Sequence, residues 1–208
     1  MSRIRFTTAG ESHGPALAAV VEGLPAGVAI ASEAIDHELR RRQGGYGRGG
    51  RMRIESDRAE ILSGVRHGET LGSPVTLLVH NRDWANWTDA MSPAPVGNAG
   101  DDEAMRRVFF PRPGHADLVG ALKYDRTDAR DILERASARE TAARVAAGAL
   151  ARALLVHAGI TVGSHVVSIG GIVAARPDTL PDDLNAASDP SPVRCLDADA
   201  EGAMIDAI

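Results

Sequence analysis

The chain has 208 residues, 44% hydrophobic but only 3% aromatic, and a formal net charge of −5 at neutral pH. That length supports a buried core built on Val, Leu, Ile and close Ala contacts rather than on rings, and the acidic balance argues against general affinity for nucleic acid. The single cysteine, Cys195, excludes an internal disulfide and a four-cysteine metal site, and no run of residues approaches membrane-spanning length, so a reducing, cytoplasmic setting is expected.

Residues 3 to 8 read as extended and run into Gly10-Glu11-Ser12-His13-Gly14, whose small residues predict a turn with His13 at a strand end. Ala16 to Glu22 reads as a second strand and Pro25-Ala26-Gly27 as a turn. Ser32 is the expected N-cap of a helix that carries Glu33 in its first turn, sets Ile35 and Leu39 on one face and stops near Gly44. From Gly44 to Gly50 five of seven residues are glycine, so backbone can approach a ligand closely, and this loop is expected to be mobile when empty. Met52 to Glu55, Glu60 to Leu62 and Val75 to His80 read as strands, the last alternating Val75, Leu77 and Val79 against Thr76, Leu78 and His80, as in an antiparallel sheet. Residues 91 to 104 resemble a long exposed loop. One helix is expected from about Asp128 to His157, with Asp128 as cap, Asp131 and Glu134 early, and apolar residues over more than half its circumference. Gly159 stops it, Thr161 to Ile169 reads as a strand, and residues 174 to 195 read as a loop. Ala203 to Ile208 begins a helix that nothing terminates, so a single domain spanning 1–208 and incomplete at its C-terminal end is expected.

Four segments bear chemistry. His13, between small residues at a turn, can reach a substrate and exchange a proton, although a lone histidine is more often structural. Arg40 to Arg53 holds six arginines and no acid around the glycine loop, which suits a small dianion or trianion; a solvated basic loop is the alternative. The Gly-Lys-Ser/Thr ending of a nucleotide loop is missing. Arg112-Pro113-Gly114-His115-Ala116-Asp117 sets a second histidine behind a rigid turn, with Asp117 near enough in sequence to orient or repel it. Arg135 and Arg139, four apart on the expected helix, share a face and need either Glu134 or Glu140 as partners or a bound anion. The other histidines, 37, 67, 80, 157 and 165, read as structural.

Together the blocks Gly10 to Gly14, Arg40 to Met52, Ser63 to Thr70, Arg112 to Asp117 and Glu134 to Gly148 resemble the chorismate synthase family in order and spacing, over nearly the whole chain. Ser191 to Cys195 is similar to a more variable family segment. The resemblance implies trans-1,4-elimination of phosphate from 5-enolpyruvylshikimate-3-phosphate to give chorismate, the last common step of aromatic amino acid biosynthesis. It also implies reduced FMN as cofactor, acting by transient electron donation without net redox change, and no metal. By motif, His13 would protonate the departing phosphate and His115 would sit by the flavin. Arg42, Arg48, Arg51, Arg112 and Arg139 would hold the substrate's carboxylates and phosphate. Arg135, Ala136 and Ser137 match the family's first flavin-contacting segment, and in some members the positions of Arg42 and Arg48 are also linked to NADPH as flavin reductant. The implied fold is α+β, a β-α-β sandwich of antiparallel sheets flanking a central helical layer, assembled as a homotetramer. Family members continue past Ile208 into a part that holds further flavin-binding residues. The competing readings are a truncated, inactive anion-binding or assembly form of the same fold, an Arg/Gly-loop nucleic-acid binder, and a phosphotransferase.

Overall fold

The computed structural model describes residues 3–49, 54–96 and 107–208. Strands β1 (Arg5–Ala9) and β2 (Ala16–Glu22) lead into helix α1 (Ser32–Gln43), β3 (Ala59–Ser63), a ribbon of β4 (Val65–Arg66) and β5 (Glu69–Thr70), and β6 (Val75–His80). There follow α2 (Asp117–Tyr124), α3 (Arg130–Leu133), α4 (Thr141–His157), a ribbon of β7 (Ser168–Ile169) and β8 (Ile172–Val173), α5 (Leu184–Ser188) and α6 (Ala198–Asp206). Four strands form one antiparallel sheet in the order β1-β2-β6-β3, in register such that Leu17 faces Val79 and Val21 faces Val75. This is the α+β class expected from the sequence.

Strand alternation selects the buried face. Leu17, Ala19 and Val21 of β2 and Val75, Leu77 and Val79 of β6 point to one side and are buried there. Helix α4 packs on β2 and β6, and α1 packs on α4 and β3. The alanines of α4 at 142, 143, 146 and 147 carry no side chain beyond Cβ, so the helix lies close to the sheet, with Leu150 of α4 and Ile35 and Leu39 of α1 filling the remaining space. On the other side α4 is more open: Val156 is exposed, and a groove of about 840 Å³ runs between α1, α4 and α5.

A second, smaller cluster joins Ala174, Val193, Cys195, Ala200 and Met204. Arg41, near the end of α1, ties it to the first: its Nε and Nη2 donate to the two carboxylate oxygens of Asp189 at 2.6 and 3.0 Å. Its backbone carbonyl accepts from Arg194, and the Tyr46 amide donates to the carbonyl of Pro192.

The structure differs from the sequence reading in several places. The helix expected over 128–157 is broken after α3; Ser137 is extended (φ −84°, ψ 149°) and its hydroxyl caps a 3-10 turn at Ala138–Glu140 that leads into α4. The break follows from hydrogen bonds that residues 134 and 135 make outside the helix, described below. Helix α1 begins at Ser32 itself, with the extended Ala31 in the cap position and no side-chain cap. The strand expected over 161–169 shrinks to β7, because Asn185 and Ser188 bond the backbone of Val162 and Ser164 and take the groups that a strand partner would use. The loop expected over 174–195 contains the short α5. Of the strand expected over 52–55, residues 52 and 53 lie outside the described residues and 54 and 55 are not in a strand. The loop expected over 91–104 is described only to residue 96.

Leu39→Ala or Leu150→Ala, each removing a side chain with no exposure, lowers unfolding free energy by about 2–5 kcal/mol in urea titrations. Val156→Ala, at a 58% exposed position, changes it by no more than about 0.5 kcal/mol.

Candidate functional site

The turn between β1 and β2 starts at Gly10, whose positive φ of 98° and whose approach to β2 admit no side chain: a Cβ there would lie 2.3 Å from the carbonyl oxygen of Ala16. This close turn presents Ser12 and His13 to the helix break. The Ser12 amide donates to the Glu134 carbonyl at 2.9 Å, and the His13 amide donates to Glu134 Oε2 at 2.9 Å. His13 Nδ1 lies 2.9 Å from both carboxylate oxygens of Glu134, and its ring stacks on Trp87 with centroids 3.9 Å apart. Arg130 lies over the same Trp87 ring and reaches Glu134 Oε1 at 3.2 Å. Burial works to raise the Glu134 carboxyl, but the hydrogen bonds and charge of His13, with the charge of Arg130, outweigh it and hold the group below the ordinary carboxylate range. A cleft of about 530 Å³, bordered by Glu11, Met91, Tyr124, Arg126, Arg130 and Glu134, opens beside this turn.

One step along the chain, the Ser12 hydroxyl donates to Ser137 Oγ at 3.0 Å. Arg139 then turns inward, almost fully buried. Its Nη1 donates to Asp57 at 2.5 Å and its Nε to Asn81 at 2.7 Å, with Glu55 at 3.7 Å. Asn81 in turn donates to the carbonyls of Glu11 and Gly14, so Arg139 braces the His13 turn from behind. Arg42 comes to the same place from α1, donating to Thr141 Oγ1, the Ala138 carbonyl and Asp57 Oδ2. Burial lowers the Arg42 pKa, and the charges of Arg139 and Arg48 act in the same direction against the pull of Asp57. Arg135 points the other way, to the carbonyls of Thr8 and Gly10 and to Glu140. The shared helix face expected for Arg135 and Arg139 is therefore absent, because the extended Ser137 stands between them. The arginine run is also not one solvated patch, since Glu38, Asp57 and Asp189 offset Arg41 and Arg42.

The second histidine lies on the turn before α2. Arg112 forms a two-pronged pair with the fully buried Asp117 carboxylate, at 2.8 and 2.9 Å. That side-chain hydrogen bond is the main reason the Asp117 pKa falls from 3.8 to about 2. Asp117 thus pairs with Arg112 rather than with the exposed His115, whose Nδ1 meets the Pro113 carbonyl at 3.2 Å. The charge of Glu134 contributes to raising the pKa of Arg112, which places this turn within electrostatic reach of the His13 site. Arg48 is open at the helix C-terminus, with Nε donating to the Gly44 carbonyl, and Arg51 lies outside the described residues.

A family model described as chorismate synthase matches residues 4–208. The chain belongs to the chorismate synthase family. It is 59% identical over 207 residues to chorismate synthase of Symbiobacterium thermophilum, covering 99% of this chain and 53% of that protein. It is 56% identical over 202 residues to chorismate synthase of Enterococcus faecalis, covering 97% of this chain and 52% of that protein. A solved structure described as a crystal structure of chorismate synthase superposes with a TM-score of 0.71 at 39% identity, over 98% of this chain and 52% of that one. The chain spans about half the length of the curated relatives it matches.

The chorismate synthase fold thus brings His13, Ser137, Arg42 and Arg139 to one seam between the β1–β2 turn, the end of α1 and the start of α4. Sequence reasoning missed Asp57, Asn81 and Trp87 and weighed Glu134 only as a partner for nearby arginines. Among the described residues no group of three or more His, Cys, Asp or Glu side chains is arranged to hold a metal ion, and no helix is long and apolar enough to cross a membrane.

Arg139→Met leaves Asp57 buried without its main partner and lowers stability by about 3–5 kcal/mol in urea titrations. Adding Asp57→Asn restores part of that loss. The Arg112–Asp117 pair stabilises the fold above about pH 4 and loses its effect as pH falls toward 2, because the carboxyl pKa is depressed in the folded state. In Asp117→Asn the urea midpoint is lower at pH 6 and falls less steeply between pH 4 and pH 2.

Proposed function

We propose that this chain carries the proton-donating and anion-holding part of a chorismate synthase site, which eliminates phosphate from 5-enolpyruvylshikimate-3-phosphate to give chorismate. The observation that carries the reading is His13, gripped at Nδ1 by a buried carboxylate, backed by Trp87 and set one serine pair away from the arginine seam. With Nδ1 engaged, Nε2 is the ring nitrogen left to deliver a proton to the departing phosphate.

Anion binding divides among the arginines according to how each is held. Arg48 is exposed and offers its guanidinium to a phosphate or carboxylate, and Arg51 is assigned the same task by motif. Arg42, its side chain only 9% exposed and its guanidinium bonded to Thr141, Ala138 and Asp57, adds positive charge beside the start of α4. Arg139 is buried against Asp57 and Asn81, so it acts on the substrate mainly by holding the His13 turn in position. Arg112 contributes through its open side, and His115 on the same turn would sit by the flavin and control its protonation.

The residues present fit an anionic, ring-bearing cofactor such as reduced FMN. Arg135, with a 38% exposed side chain, stands beside Ala136 and Ser137 at the break before the 17-residue α4, whose positive end favours a phosphate. Reduced FMN held there would supply transient electron donation that assists phosphate departure. Arg42 and Arg48 are the positions assigned to NADPH where the flavin is reduced in place, and the assembly is the family's homotetramer.

Anaerobic incubation of the protein with reduced FMN and 5-enolpyruvylshikimate-3-phosphate, followed by phosphate release and chorismate absorbance, tests the reading. His13→Ala lowers turnover by roughly 10²–10⁴-fold. An unchanged rate in that variant contradicts the proposal.

A further inference from the structure

The break between α3 and α4 costs the chain a continuous helix, and what it secures is Glu134. This residue is 2% exposed, yet every neighbour described for its carboxylate is a donor: the His13 amide at 2.9 Å, His13 Nδ1 at 2.9 Å and Arg130 Nη1 at 3.2 Å. An ionised carboxylate accepts hydrogen bonds and cannot donate one. Its depressed pKa keeps it ionised at neutral pH. The contact with Nδ1 therefore requires a proton on Nδ1, and this determines the ring's tautomer: neutral His13 carries N–H at Nδ1 and a lone pair at Nε2.

We propose that Glu134 is a positioning residue that holds His13 in the Nδ1–H tautomer, leaving Nε2 as the nitrogen that takes up a proton and hands it to the substrate. The assignment rests on the proton-donor reading of His13 given above. An unconstrained neutral histidine side chain favours the opposite tautomer, with the proton on Nε2, so the structure works against an intrinsic preference. Three contacts enforce it, two from Glu134 and one from Trp87. Glu134 supplies the acceptor, Trp87 stacks on the ring at 3.9 Å and blocks its rotation, and the His13 amide bond to Glu134 Oε2 fixes the backbone beneath. The Ser12 amide, bonded to the Glu134 carbonyl, keeps the turn docked even when the carboxylate is removed. Other charged groups facing this carboxylate act with it: Arg130 pairs with it directly, and the more distant Arg112 feels its charge. Glu134, 2% exposed and bonded to the ring and backbone of His13, acts through His13.

The test is nitrogen NMR of the protein labelled at histidine, recorded at a pH where the ring is neutral, with His13→Gln used to assign the signal. The expected spectrum shows an Nδ1 shift typical of a protonated nitrogen and an Nε2 shift typical of a bare one. An Nε2–H pattern in the unmodified protein overturns the proposal without any variant. In Glu134→Ala, with folding confirmed by amide dispersion, the pattern reverts toward Nε2–H. Glu134→Gln retains one side-chain oxygen and preserves the Nδ1–H form. A folded Glu134→Ala with an unchanged tautomer also overturns the proposal. The readout needs no turnover, so a His13 that is held as described but whose loss leaves phosphate release unchanged sinks the functional reading and not this one.

Discussion

The structure depends on one buried cation. Arg139 sits at 3% exposure, where an unpaired guanidinium is not tolerated, and its side-chain partners come from two separate stretches of chain. Asp57 and Glu55 lie in the segment after α1, Asn81 and the His80 carbonyl lie at the end of β6, and through Asn81 the turn at residues 11–14 is drawn in as well. Satisfying one charge thus fixes the distances among the elements that meet at the seam. The apolar core beneath it, strand face against alanine-rich helix, supplies stability, but it would permit small sliding of α4 along the sheet. The polar cluster at the start of α4 does not, because hydrogen bonds of 2.5–2.7 Å leave little latitude in register.

The same economy explains the irregular backbone at 134–140. A continuous helix would place Glu134, Arg135 and Arg139 at regular steps around one cylinder. Instead Glu134 faces the His13 turn, Arg135 reaches the carbonyls of Thr8 and Gly10, and Arg139 enters the core. The extended Ser137 separates these directions and caps the next turn with its own hydroxyl. Loss of helical bonds over this short stretch is offset by side-chain bonds to the sheet, and the outcome is a rigid frame around a histidine. Rigidity of this kind suits proton delivery, which is sensitive to donor placement.

Much of this was legible in the sequence and some was not, for physical reasons. Strand alternation over Val75 to His80 and the Ile35–Leu39 spacing announced buried faces, because a period of two or of four residues is imposed locally. His13 was legible because small residues surround it within a recognisable block. Its partner was not: Glu134 lies 121 positions away, and on an assumed unbroken helix it pointed to neighbouring arginines instead. Asp57, Asn81 and Trp87 carry no local pattern, since their roles exist only once β6 and the segment after α1 are folded against α4. The strand expected over 161–169 failed for a related reason, because valine and isoleucine enrichment cannot show that α5 side chains will occupy the backbone. The arginine run misled in the opposite sense. Read alone it is a cationic patch; folded, two of its members are struts against acids, Arg41 against the distant Asp189 and Arg42 against Asp57 just after the loop.

The central claim is that His13, Ser137 and the arginine seam form one substrate-facing site, a claim tested most directly by amide-shift mapping of the isotopically labelled protein during titration with 5-enolpyruvylshikimate-3-phosphate. The account predicts that the largest shifts cluster at residues 10–14, 42–48 and 137–142 together and saturate with one binding constant. Shifts confined to the glycine loop near Pro192, or scattered over the surface with no response at His13 and Ser137, would contradict it.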